Sequence, residues 1–172
     1  MSQTFAGKHV AVTGASRGIG AAIVNAFAQE GASLSLLSRN RAALESQSQK
    51  ALASGASKAH VFEMDVGVQS SVSQAFSEAQ EALGPVDVLV NNAGAVESRP
   101  LARTSQGLWN TMMAVNLNGV FYCIDAVLSA MLERASGRIV NIASTAGLTG
   151  YPYIDPYCAA KQGVGGLTRA VA

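Results

Sequence analysis

Residues 10–20, Val-Ala-Val-Thr-Gly-Ala-Ser-Arg-Gly-Ile-Gly, constrain the fold more than any other stretch of the chain. They open as a buried strand, pass through Gly14, Gly18 and Gly20, and run into a helical apolar pattern at Ala21, Ala22, Ile23, Ala26 and Phe27. Strand, glycine turn and helix in that order form a phosphate cradle. Glycine lets a phosphate approach the main chain without an intervening Cβ, and the helix that follows presents free N–H groups and the positive end of its dipole. The spacing is Gly-x-x-x-Gly-x-Gly, which differs from the Gly-x-Gly-x-x-Gly dinucleotide fingerprint. A tight strand–helix turn that binds nothing is the alternative.

The same alternation repeats down the chain. Strands are predicted at 8–13, 33–38, 60–64, 86–90 and 138–143. Helices are predicted at 18–30, 40–54, 70–83 and 106–134, the last of these broken near 116–119, and from Pro156 or Tyr157 to the end. Gly31, Gly55, Gly84-Pro85 and Gly137 are read as helix stops. Five alternations predict an α/β fold with a doubly wound parallel sheet and right-handed crossovers, forming one domain over residues 1–172. With 49% apolar and only 13% charged residues, most strands are expected to be covered on both faces. Ligands of such sheets bind beyond the C-terminal strand ends, where strand order reverses. Each polar motif described next falls at such an end.

A formal net charge of +1 with no basic block excludes a nucleic-acid footprint. The apolar runs are short for a bilayer span, and the N-terminus lacks a signal-peptide pattern. Cys123 and Cys158 are too few for a metal cluster or disulfide framework, so free thiols in a reducing cytoplasm are expected and no metal is.

Where an NAD site places an acidic residue, about 20 residues past the glycine loop, this chain has Ser38 followed by Arg39. A carboxylate there would repel a 2′-phosphate, and a guanidinium can grip one with two parallel hydrogen bonds. Arg17 could reach the same phosphate. The reading is NADPH in preference to NADH; two ordinary surface arginines are the alternative. Asp65 could accept a hydrogen bond from the adenine amino group, or could be a turn aspartate. Asn91-Asn92-Ala93-Gly94 could let a cofactor pass close to the backbone, or be a plain turn. Tyr157 and Lys161 lie four apart, on one helix face. An ammonium beside a phenol favours the phenolate, so the pair could exchange a proton with a substrate oxygen. The hydroxyl of Ser144 could hold that oxygen from the other side. Taken alone, the Tyr157–Lys161 spacing is common by chance and reads as a surface pair; Ser144 makes it specific.

These motifs together resemble the short-chain dehydrogenase/reductase family, in the branch that includes β-ketoacyl-acyl-carrier-protein reductases. The matches are residues 13–20, Asp65-Val66, Asn91 to Gly94, Asn116, Ser144, and Tyr157-Cys158-Ala159-Ala160-Lys161, in the family's order along the whole chain. The resemblance implies a Rossmann fold and an NADP(H)-dependent oxidoreductase acting on CH–OH groups. Its substrate would be a 3-oxoacyl thioester, or else a sugar, steroid or other small secondary alcohol. A non-catalytic nucleotide-binding regulator is a further alternative, disfavoured because Ser144, Tyr157 and Lys161 are all present. By resemblance Tyr157 is the general acid or base. Lys161 tunes it and holds the nicotinamide ribose, Ser144 orients the carbonyl, and Asn116 holds a proton-relaying water. Gly14, Ser16, Arg17, Gly18, Ile19 and Gly20 would frame the pyrophosphate. Ser38 and Arg39 would face the 2′ position. Asp65 and Val66 would face adenine, and Asn92, Ala93 and Gly94 would border the cofactor.

The family pattern continues beyond this last helix with two further strands and a substrate-covering segment, so the chain is expected to be incomplete at its C-terminus and an edge of the sheet to be exposed. Residues 95–101, Tyr151 and Tyr153 are expected to line the substrate pocket. Gly163, Gly165 and Gly166 would serve either the family's dimer or tetramer contacts or packing within the subunit.

Overall fold

The computed structural model describes residues 3–172. Five strands, β1 (His9–Thr13), β2 (Ser33–Ser38), β3 (Lys58–Glu63), β4 (Val88–Asn91) and β5 (Arg138–Asn141), form one sheet in the order β3-β2-β1-β4-β5. Every pairing is parallel. Between them run α1 (Gly18–Gln29), α2 (Arg41–Ala53), α3 (Gln69–Leu83), α4 (Gln106–Met113) and α5 (Gly119–Glu133), and α6 (Asp155–Ala170) follows β5.

The alternating side chains of the central strands supply two cores. Val10, Val12, Leu34, Leu36, Val88 and Val90 pack against Val24 and Ala28 of α1 and Leu44 and Ala51 of α2. Ala11, Leu37 and Leu89 face the other way, onto Val72 and Phe76 of α3, Val120, Ile124 and Val127 of α5, and Val164 of α6. This is the two-faced covering that the apolar composition implies, and it holds for β1, β2 and β4. The two edges differ: β3 and β5 alternate between exposed and covered positions, and Val140 on β5 is largely open to solvent. The stretch Gln106–Glu133 is apolar and long enough to pass as a membrane span by composition alone. Here its Val120, Cys123, Ile124, Val127 and Met131 are buried against the sheet. Cys123 and Cys158 are free and buried, and burial pushes the Cys123 thiol up to about 12.

Three helix ends follow the expected glycines; Gly84 (φ +81°) is the C-cap of α3, its N–H bonded to the Gln80 carbonyl. Gly31 (φ +78°) and Gly55 (φ +117°) take the left-handed position after α1 and α2. In each case the next two N–H groups bond back into the last turn, Gly31 to Ala28 and Ala32 to Phe27, Gly55 to Leu52 and Ala56 to Ala51. The stop of α5 differs from the expectation. Ala135 (φ +46°), not Gly137, adopts that position, with Ala135 N–H bonded to Leu132 and Ser136 N–H to Met131. Gly137 is required for a different reason: any side chain there would collide with Met131. Strand β4 also starts later than expected, because the Val86 carbonyl is taken by the Arg134 side chain at 2.9 Å.

At the N-terminal end of β1 the His9 ring is buried between the Gly84 carbonyl, 2.7 Å from Nδ1, and the Ser35 hydroxyl, 2.8 Å from Nε2. The neutral ring satisfies both, with Nδ1–H donating to Gly84 and Nε2 accepting from Ser35. Burial lowers the His9 pKa, against the weaker pull of the Gly84 carbonyl and Asp87. The folded protein therefore binds fewer protons at this site than the unfolded chain. Its contribution to stability is complete above the ordinary histidine value of about 6.5 and is lost as pH falls through the lowered folded value. The thermal midpoint is expected to fall between pH 7 and pH 5. His9→Asn is expected to lower the midpoint at pH 7 and to flatten its slope over that interval, as read by circular dichroism melts across the pH series.

Candidate active site

Strand order reverses beside β1, because β2 and β3 extend to one side of it and β4 and β5 to the other. A cleft of about 840 Å³ opens at that point, at the C-terminal strand ends. Its lining includes Gly14, Ser16, Arg17, Gly18, Ile19, Ser38, Arg39, Asp65, Val66, Asn92, Ala93 and Gly94, each singled out from the sequence.

The three glycines of the loop do different work. Gly14 (φ +65°) and Gly18 (φ +57°) have left-handed backbone. A Cβ on Gly14 would press on Asn92 and Ala93, whereas one on Gly18 would meet only open space. Gly20 is buried and does not line the cleft; a side chain there would drive into the Gly14 carbonyl and the Asn92 amide. It lets α1 sit close beneath the loop. The N-cap of α1, Arg17, makes no side-chain cap, and the first turn carries no acidic residue. Its leading N–H groups are thus left for an anion. A polyphosphate fits this loop on the two left-handed glycines and the uncapped helix end.

Two hydroxyl and amide groups hold the loop to β4. Thr13 Oγ1 accepts from the N–H groups of Asn92 and Ala93, each at 3.0 Å. Asn92 Nδ2 donates back to the carbonyls of Thr13 (3.0 Å) and Gly14 (3.3 Å). Asn92 thus borders the cleft and fastens the glycine loop at once. Thr13 was not singled out from the sequence; its hydroxyl lies in the glycine motif, but its partners lie nearly eighty residues away. Asn40, Ala43 and Thr111 also line the cleft without having been anticipated.

At the far end of the cleft Asp65 is first of all a turn residue. Its Oδ1 accepts from Gly67 N–H at 2.9 Å, and its own N–H donates to Ser71 Oγ at 3.1 Å. Its Oδ2 lies 4.0 Å from Arg39 Nη1.

Asn116, Ser144, Tyr157 and Lys161 lie outside the lining of this cleft, and Asn116 and Lys161 adjoin it at Gly94. Helix α6 opens with Asp155 and Pro156, residues suited to a first helical turn. Tyr157 and Lys161 follow one turn apart. Lys161 is 5% exposed, its Nζ lies 5.8 Å from the Tyr157 ring centre, and it donates to the Ile142 carbonyl at 2.8 Å. Burial lowers the Lys161 pKa. Two of the three ammonium hydrogens remain for other acceptors. The half-buried Tyr157 hydroxyl has no hydrogen-bond partner among the described residues. Ser144 leaves the end of β5 and caps the short 3₁₀ turn Thr145–Gly147, its Oγ accepting from Ala146 N–H at 3.1 Å. That bond leaves the hydroxyl hydrogen free to donate. The turn itself lies against α6, since a Cβ on Gly147 would come 2.9 Å from the Lys161 carbonyl oxygen.

Asn116 sits in a π turn, Ala114–Asn118, which joins α4 to α5. It is fully buried. Its Oδ1 accepts from Ala95 N–H at 3.0 Å, and its Nδ2 donates to the carbonyls of Ala95 (2.8 Å) and Met112 (2.9 Å). The side chain therefore clasps the main chain just past Gly94, and one Oδ1 lone pair is all it has left over. Gly94 itself lies between Asn116 and Lys161. Of the α6 glycines, Gly163 faces Leu117 of the π turn, which is packing within the subunit; no atom lies where a Cβ of Gly166 would be.

Residues 8–172 match the family model described as short chain dehydrogenase. The chain is 37% identical over 172 residues to 2-(S)-hydroxypropyl-CoM dehydrogenase 3 of Xanthobacter autotrophicus, covering 100% of this chain and 67% of that one. It is 35% identical over 172 residues to a 3-oxoacyl-acyl-carrier-protein reductase of Chlamydia muridarum, covering 100% of this chain and 69% of the other. A crystal structure from Sinorhizobium meliloti, described provisionally as a short-chain alcohol dehydrogenase, superposes with a TM-score of 0.94 at 35% identity, over 100% of this chain and 68% of that one. The chain thus spans about two thirds of the length of these proteins.

Asn116→Ala would release the main chain of Ala95 at the cleft edge and strand the buried Met112 carbonyl. It is expected to lower the unfolding free energy by about 1–3 kcal/mol, measured by urea denaturation.

Proposed function

The chain belongs to the short-chain dehydrogenase family, and from that premise we propose that it carries the nucleotide site and the proton-transfer group of an NADP(H)-dependent oxidoreductase that interconverts a carbonyl and a secondary alcohol. The single observation that supports this most is the arrangement of Lys161. It is a buried ammonium held by the Ile142 carbonyl beside a tyrosine whose hydroxyl is unengaged.

A nicotinamide dinucleotide, when bound, supplies or accepts the hydride. The chain's own residues do the rest. Gly14, Ser16, Gly18 and Ile19 hold the pyrophosphate against the uncapped end of α1, with Gly20 and Asn92 fixing the loop's shape. Asp65 and Val66 would border the adenine, and Ala93 and Gly94, which line the same cleft, would border the rest of the cofactor. Arg39 and Arg17 grip a 2′-phosphate, with Ser38 leaving room for it. Tyr157 donates a proton to the carbonyl oxygen in reduction and takes it back in oxidation. Lys161 places positive charge beside the tyrosine oxygen as that proton leaves, and its spare hydrogens reach the ribose hydroxyls. Ser144 donates its free hydroxyl hydrogen to the same substrate oxygen. Asn116 keeps the 94–95 main chain in place, and its remaining lone pair is where a relaying water would be held.

For substrate we propose a 3-oxoacyl thioester, on the similarity to the Chlamydia reductase. A small secondary alcohol is the second reading, on the similarity to the Xanthobacter hydroxypropyl-CoM dehydrogenase. Either is expected to enter past residues 95–101 and Tyr151 and Tyr153; of these Ala95 lines the cleft, and the Arg99 N–H donates to the Tyr153 carbonyl at 2.7 Å, which joins the two exposed segments. A homodimer or homotetramer is part of this reading; Phe121 and Leu132 of α5 are exposed apolar side chains on which copies could meet.

In the protein, Tyr157→Phe is expected to lower kcat for acetoacetyl thioester reduction by about 10²–10⁴-fold while leaving NADPH binding within about twofold of wild type. Retained turnover would remove Tyr157 from the chemistry. Nicotinamide fluorescence titrations are expected to show tighter binding of NADPH than of NADH. Tighter NADH binding would overturn the cofactor preference and leave the reaction class standing.

A further inference from the structure

The ion pair between Arg39 and Asp65 has a consequence for cofactor choice. Both residues line the adenosine end of the cleft. Asp65 is fixed there by its turn: Oδ1 is committed to Gly67 N–H, and the backbone N–H is committed to Ser71 Oγ. That bond orients the carboxylate, and its second oxygen lies 4.0 Å from Arg39 Nη1, an ion pair without a hydrogen bond. Arg39 has no other polar partner among the described residues, and its side chain is 76% exposed. The mobile partner of the pair is the arginine and the fixed one is the aspartate.

The geometry points to Asp65 as a positioning residue that competes with a 2′-phosphate for Arg39. It sets the degree of preference for 2′-phosphorylated nucleotides and does not merely border the adenine. This rests on the reading of Arg39 as the 2′-phosphate ligand. Without a nucleotide, the guanidinium leans on Asp65. To form a bidentate contact with a phosphate it has to leave or share that carboxylate. Arg17 has no such tether among the described residues, so the competition is specific to Arg39.

The test uses two small probes that share the adenosine, 2′,5′-ADP and 5′-AMP, titrated calorimetrically into the wild-type protein, Asp65→Asn, Arg39→Ala and the double variant. Asparagine keeps the Oδ1 acceptor of the turn, and Asp65→Ser, which can form the analogous turn, serves as a second variant if the first does not fold. The quantity read is the ratio of the two dissociation constants, in which loss of any adenine contact cancels. Asp65→Asn is expected to raise the preference for 2′,5′-ADP about three- to fivefold, the scale of an exposed ion pair. In the Arg39→Ala background the same change is expected to have no effect on the ratio. If Arg39→Ala abolishes the preference while Asp65→Asn leaves it unchanged or lowers it, the competition is refuted and Arg39 stands as the phosphate ligand. If Asp65→Asn raises the ratio equally in both backgrounds, the aspartate acts on the phosphate directly and the tether is refuted. If the wild type shows no preference, or Arg39→Ala does not alter one, the underlying reading fails and this inference fails with it.

Discussion

A parallel sheet ends every strand on the same side, and the strand order of this one turns back at β1. Those two facts leave a gap between the loops after β1 and β4 that no neighbouring crossover fills. What keeps the gap in shape is a small set of hydrogen bonds between residues far apart in sequence. The Thr13 hydroxyl holds the N–H groups of Asn92 and Ala93, and the Asn92 amide holds the carbonyls of Thr13 and Gly14. The bonds use both side chains on main-chain groups that would otherwise face the cleft unpaired. Gly20 completes the arrangement by allowing α1 to lie close enough that its end points into the gap. The floor of the cleft is therefore rigid, and the arginines above it, Arg17 and Arg39, are not. That division suits a site in which fixed main-chain N–H groups meet one phosphate and movable guanidinium groups meet another.

The reacting end is organised around a different tension. An ammonium buried to the extent of Lys161 is penalised by desolvation, and this is the direction in which its pKa moves. The single Ile142 carbonyl offsets part of that penalty and fixes the amine between Tyr157 and the Gly94 backbone. An uncharged side chain would pack there at less cost. A lysine retained in such a place, with hydrogens to spare, is better accounted for by what it faces than by what it stabilises.

Much of this was legible in the sequence, and the reasons differ by feature. The strands could be read because β1, β2 and β4 are apolar on both faces, and the helix ends at Gly31 and Gly55 because a left-handed position favours glycine. The end of α5 lies within one residue of the expected position, but Ala135 and not Gly137 takes the left-handed position there, and the bare Cα of Gly137 makes room for Met131. The cleft residues from Gly14 to Arg39 and from Asp65 to Gly94 could be read because each follows a strand directly. The hydrogen bonds of Thr13 and Ala95 are not legible in the sequence, since their partners lie far along the chain, although Thr13 belongs to the glycine motif and Ala95 to the loop expected at the pocket. The Arg39–Asp65 pair is visible in the sequence only as two separate residues, because the pattern does not give the register that sets the ends of β2 and β3 side by side.

The π turn at Ala114–Asn118 shows how one local irregularity serves both ends of the site. A regular helix through these residues would give Asn116 and Leu117 the ordinary angular offset and leave the i−4 carbonyl of each position occupied in sequence. The wider turn frees the Met112 carbonyl to accept from the Asn116 side chain, which orients that amide to hold both main-chain groups of Ala95. One residue later, Leu117 is turned onto Gly163 of α6, where a Cβ would come 2.9 Å from its side chain. The segment carrying Gly94 and the helix carrying Lys161 and Tyr157 are thus both fixed to the same five-residue turn. A change there would act on the Gly94 segment, which lines the cleft, and on α6 beside it together. This gives a physical reason for a π turn in this position, where an unbroken helix would be the more stable local structure.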